Sequence, residues 1–111
     1  MATRLRDSRG GRRELRRLAG LAHQRELARA LAKLESSFAL WREGKLEGYE
    51  LNELIHDYHQ GEQREIWGRY KRGHEAPAVA RALALGLLQS EELTPQLLEE
   101  LAGGVDLFRV D

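Results

Sequence analysis

The 111 residues include 18 basic and 18 acidic side chains, two prolines and no cysteine. This suits one small domain and excludes disulfides, thiolate zinc sites and cysteine nucleophiles. Leu, Ala, Arg and Glu dominate and aromatics make up only 6%, so the expected fold class is all-α: a compact bundle of four or five helices led by a long N-terminal helix in an αα-hairpin. The longest apolar run, 76–88, contains Pro77 and Arg81 and falls short of the roughly 20 residues of a spanning helix. No membrane span is therefore expected, and without cysteine or a signal-peptide pattern the expected setting is the cytoplasm.

Zero net charge conceals an asymmetry. Residues 1–33 hold ten Arg and Lys side chains against Asp7, Glu14 and Glu26, which leaves +7 there and −7 in the remainder. Residues 1–12, with Ser8, Gly10 and Gly11 among arginines, have nothing to bury and read as a mobile basic arm, followed by a single helical domain over 13–111. Such an arm could contact nucleic acid, dock on an acidic neighbour or remain solvated; it lacks the interleaved aromatics that stack on bases.

A long helix is expected from about Arg13. Leu27, Leu31, Leu34, Phe38 and Trp41 follow steps of four and three and share one stripe, while Leu15, Leu18 and Ala22 form an earlier, offset one. Gly20 and the change of register argue against one continuous coiled coil, yet a helix-pairing seam suited to self-association remains. The two glycines of 43–48 then return the chain as an antiparallel neighbour. A second helix over 49–60 sets Leu51, Leu54, Ile55 and Tyr58 on one face. Gly61 breaks or caps it, and a third helix packs through Ile66, Trp67 and Tyr70 and runs to about Arg72. Trp41, Trp67 and Tyr70 are expected as core residues, with a partner-facing role as the alternative.

Pro77 fits the first turn of a fourth helix whose Val79, Ala80, Ala82, Leu83, Leu85, Leu87 and Leu88 mark it as central. Thr94-Pro95 is a strong start signal, with Thr94 as N-cap, Pro95 at the first helical position and Leu93 stapling onto Leu98. That last helix is expected to end at Gly103-Gly104, with 105–110 docking as an extended tail.

Chemistry concentrates in 51–70. At 100° per residue Asn52, His56 and His59 share a flank of the second helix, with Glu53 just round from it and Arg64 beyond the break; Asn52, His56, His59 and Arg64 form the expected binding surface. Glu53-x-x-His56, extended by His59, has the spacing of a carboxylate–imidazole metal pair in di-iron bundles. One copy is too few for a di-iron centre, so a divalent metal or iron would need a homodimer, with Glu35 as a further ligand, an arrangement resembling encapsulated ferritins. The plain alternative is that both imidazoles hydrogen-bond within a polar groove. Arg69 and His74 have the spacing of the arginine and histidine in HEPN-type ribonucleases, although Tyr70 stands where a polar residue is expected. No nucleophile triad, zinc helix or phosphate loop is present in the sequence.

Phe38-x-x-Trp41-x-x-Gly44, Glu50-Leu51-x-x-x-Ile55-His56-x-x-His59-x-Gly61 and Arg64-Glu65-x-Trp67-x-x-Tyr70 together resemble a group of small, functionally uncharacterised bacterial helical proteins with an IHxFHxG…RxLWxxY pattern. The resemblance covers residues 30–100, with Tyr58 in place of the phenylalanine. It implies a bacterial helical domain and draws attention to His56 and His59, and it carries no activity. The expected function is thus a non-enzymatic interaction or accessory protein with a His-containing surface and a protein partner or a second copy as its ligand. Metal binding through Glu53, His56 and His59, and nucleic-acid binding through the arm, are the alternatives.

Overall fold

A computed structural model describes residues 4–109, and among them every regular element is helical. A 3₁₀ turn, Leu5–Asp7, precedes α1 (Arg9–Arg42), α2 (Gly48–Gln60), α3 (Glu62–Arg69) and α4 (Glu75–Leu85); a second 3₁₀ turn, Ser90–Glu92, leads into α5 (Pro95–Phe108). The all-α class and the long leading helix are as expected. The sequence offered one domain over 13–111; the contacts distinguish two compact units, Met1–Gln24 with Tyr70–Asp111, and Arg25–Arg69. The helix α1 contributes its first half to one and its second half to the other.

In the first unit α1 starts four residues before the expected Arg13, because the Ser8–Gly11 stretch that reads as disorder is a helix cap. Ser8 Oγ accepts the Gly11 N–H at 2.9 Å and donates to the Leu5 carbonyl at 2.7 Å, which satisfies a first-turn donor that would otherwise be orphaned. Gly11 is obligatory for a different reason: a Cβ there would lie 1.6 Å from the Leu5 carbonyl oxygen. The backbone N–H groups of Leu5 and Arg6 donate to the two carboxylate oxygens of Glu100 on α5 at 2.7 and 2.9 Å. The described part of the expected mobile arm is thus tied down; its residues 1–3 lie outside the described range.

Leu15, Leu18, Ala19 and Ala22 of α1 pack with Val79 and Ala82 of α4, Leu87, Leu88 and Leu93 of the following segment, and Leu97 and Leu101 of α5. The offset stripe of α1 is therefore a true core face, and α4 is central as expected. It ends earlier than expected, at Leu85, where Gly86 takes the left-handed conformation (φ 77°) and the Leu87 N–H returns to the Ala82 carbonyl at 2.8 Å. That closure turns Leu87 and Leu88 into the core from outside the helix. Thr94 caps α5 through Leu97 N–H, and Pro95 occupies its first turn. Gly103-Gly104 does not end α5. The helix continues to Phe108 because Gly104 lies where a Cβ would come within 3.1 Å of Ala80 Cβ, and Val105 is buried one residue further on. Close packing here outweighs the roughly 1 kcal/mol per glycine of poor helix propensity. The expected extended tail is helical through residue 108, and Val110 lies outside the described range.

In the second unit α1 and α2 form the expected αα-hairpin. The Lys45 N–H closes on the Leu40 carbonyl at 2.9 Å with Gly44 at φ 77°, the same device that ends α4. Glu47 and Glu50 then form a reciprocal capping box at the start of α2. The antiparallel return is recorded by two ion pairs, Lys33–Glu62 at 3.0 Å and Glu26–Arg69 at 3.1 Å. At Gly61 the N–H still bonds to the Asp57 carbonyl while its own carbonyl accepts the Glu65 N–H, so α3 begins without a connecting loop. It stops at Arg69, short of the expected Arg72.

Candidate functional site

The second unit has little core. Its buried apolar residues are Ala30, Leu51 and Ile66, whereas Leu31, Phe38, Leu40, Trp41, Tyr49, Leu54, Ile55 and Trp67 are exposed. The two tryptophans expected in the core are 45% (Trp41) and 67% (Trp67) exposed. The reason is angular: Trp67 stands one residue, or about 100°, round from Ile66, and a single-turn contact face admits only one of them. Tyr70, expected on the same face, lies past the end of α3 in the other unit, stacked on His23 with centroids 4.5 Å apart.

Trp67 instead forms a wall of an open groove of about 420 Å³, shared with His59, Gln63 and Arg64. The Gly61 break creates it by setting the last turn of α2 beside the first turns of α3. His59 Nδ1 bonds to Gln63 Oε1 across that break. With the proton on Nδ1 the imidazole donates there, which leaves Nε2 as the acceptor toward the groove's surroundings. Two of the expected binding residues, His59 and Arg64, thus come together. Asn52 and His56 are exposed on α2 and do not line the groove, and neither does Glu53. Gln63 and Trp67 were outside the expected binding surface: no motif singles out Gln63, and Trp67 was expected in the core with a partner-facing role as the alternative.

Among the described residues no three His, Asp or Glu side chains are grouped to hold a metal ion, Glu53, His56 and His59 included. Arg69, the arginine of the ribonuclease-like spacing, is engaged by the largely buried Glu26 carboxylate. On the flank of the hairpin where Lys33 pairs with Glu62, a second groove of about 260 Å³ runs along the α1–α2 seam, lined by Ala30, Lys33, Leu34, Ser37, Leu54, Asp57, Tyr58 and Glu62. In the first unit Arg6, Arg12 and Arg16 line a cleft of about 270 Å³ together with Asp7 and Glu75, so the expected basic arm meets acidic groups of its own unit.

The groove walls are mostly hydrocarbon, with a guanidinium, an amide and an imidazole near an exposed indole. Trp and Arg are the residue types that most often dominate binding energy at protein interfaces. The chain matches no protein-family model, no curated protein and no solved structure. The all-α fold and the surface itself therefore carry the functional argument.

Proposed function

We propose that this chain is a non-enzymatic interaction protein that binds a protein partner through the apolar face of residues 25–69, with the His59–Trp67 groove as part of the contact. The observation that carries this reading is the exposure of Leu31, Phe38, Trp41, Ile55 and Trp67 in a unit that buries only Ala30, Leu51 and Ile66 among its apolar side chains. Large exposed apolar surfaces rimmed by polar groups are characteristic of contact sites. The resemblance to small bacterial helical proteins and the lack of cysteine support a bacterial cytoplasm as the setting.

A photo-crosslinking side chain placed at position 67, 55 or 38 in cells should give adducts of higher mass. The same group at position 107, an exposed leucine of the other unit, should give none. Absence of adducts at all three positions would overturn the reading.

A further inference from the structure

Leu40 and Leu54 are exposed on other sides of the hairpin, but several of the remaining exposed apolar side chains share one flank. Relative to Leu31, Phe38 lies only about 20° away on α1, whereas Lys33 and Ser37 lie about 120–160° round the axis. On α2, Ile55 and His59 are about 40° apart, and Leu54 and Asp57 are more than about 90° from either. Lys33, Ser37, Leu54 and Asp57 line the seam groove on the ion-paired flank. Leu31, Phe38, Ile55 and His59 therefore mark the other flank, which the groove beside Trp67 continues into α3.

We infer that this flank is the interface for a second copy of the same chain, joined as a two-fold dimer in which two hairpins pack face to face. The inference rests on the binding role proposed above and names the partner. Two observations select a second copy. The first is area: at the exposures of Leu31, Phe38, Trp41, Ile55 and Trp67, with the half-buried Leu27 beside them, the flank offers roughly 600 Å² per chain, against about 600–1,000 Å² from each partner in stable interfaces. The second is the shortage of core. A unit that buries Ala30, Leu51 and Ile66 and little else gains from cover whenever it is folded, and the cover that suits it is one present at equal stoichiometry wherever the chain is. An identical chain meets that condition without any other protein. An isologous contact also requires a projection and a recess on one surface, and the flank has both: the ridge of Leu31 and Phe38, and the groove beside Trp67.

Sedimentation equilibrium of the full chain decides the matter. The expected mass is twice 12.7 kDa at high concentration. Leu31→Glu and Ile55→Glu should each weaken association at least tenfold, while Leu107→Glu leaves it unchanged. Should a charge variant lose helix by circular dichroism, Trp41→Phe makes Trp67 the sole indole; its emission should shift to the red over a roughly thousandfold dilution as the dimer parts. A monomer at every concentration, or a dimer indifferent to both charge variants, overturns the inference. The binding role stands or falls separately: adducts from position 67 to a different protein, with a monomeric chain, remove the second copy and keep the contact surface, whereas a monomer without adducts removes both.

Discussion

The two units of this chain use similar residues to opposite ends. In the first, α1, α4 and α5 bring Leu18, Val79, Leu88 and Leu97 to near-complete burial, with small side chains such as Ala22 and Ala82 permitting close approach. In the second, the same helix α1 carries larger apolar groups, and Leu31, Phe38 and Trp41 stay in solvent while Ala30 is buried. Apolar content does not separate the units; the number of faces against which a helix can pack does. Three helices around one centre enclose their side chains, whereas a hairpin with a short third helix covers one flank and leaves the other open. The first unit is a closed core; the second keeps an open flank, on which the proposed contact rests.

Matched leucine truncations give the largest expected effects and test this contrast directly. Leu97→Ala, at a wholly buried position, should cost about 2–5 kcal/mol by lost transfer energy plus the cavity left behind. It should do so equally at low and high protein concentration. Leu31→Ala, at a half-exposed position, should cost under about 1 kcal/mol in dilute solution and more as concentration rises and the second copy covers the site. Urea denaturation at two concentrations measures both. Equal, concentration-independent costs would erase the distinction between the units.

Caps give a smaller contrast. Thr94 satisfies Leu97 N–H in the first unit, and Thr94→Ala should lower stability by about 1 kcal/mol. Glu47 opens α2 with a capping box in which Glu50 reaches back to its N–H at 3.1 Å; both groups are exposed, so Glu47→Ala should cost about 0.5 kcal/mol or less. Thermal melts of the two variants would show whether helix starts in the closed unit matter more than those in the open one.

How much of this was legible in the sequence depends on the range of the interaction involved. Local signals carried well: Thr94-Pro95, the turn near Gly44 and the break at Gly61 are backbone chemistry, fixed within a few residues. The stripes on α1 were correctly read as stripes, yet periodicity states only that a face is apolar, not whether anything covers it. Leu15 and Leu18 are covered; Leu31 and Phe38 are not. The glycines misled in both directions. Gly11 looked like disorder and is a contact with the Leu5 carbonyl; Gly103-Gly104 looked like a helix end, and Gly104 is a close approach to Ala80. Both effects depend on how the backbone folds against a particular neighbour, Leu5 or Ala80, which residue type and spacing do not state. Gln63 and Trp67 joined His59 and Arg64 for the same reason, since the break at Gly61 sets the angle between α2 and α3.

The smallest expected effect is confined to the start of the closed unit, where a single carboxylate holds the chain. Glu100 accepts the backbone N–H groups of Arg6 and Leu5 and a bond from Gln96 Nε2 at 3.2 Å. The Arg6 N–H, foremost, holds its carboxyl below the usual carboxylate range against the opposing pull of desolvation, with the Leu5 N–H, Gln96 and the charge of Arg4 adding to the lowering. A carboxyl with a lowered folded pKa contributes stability that is fully present above its unfolded value and is lost as pH falls through the folded one. Acid should therefore loosen the Leu5–Asp7 turn before the core opens. The measurable sign is faster amide exchange at Leu5 and Arg6, corrected for intrinsic rates, below the ordinary carboxylate range, with Leu97 still protected. Glu100→Gln should remove that acid step and leave the turn loosened at neutral pH as well. Gly11→Ala, which forces a Cβ against the Leu5 carbonyl, should displace the turn at every pH while Glu100 stays ionised. Protection at Leu5 and Arg6 that is indifferent to pH and to both substitutions would mean that the carboxylate does not hold this turn, and that the closed unit closes without it.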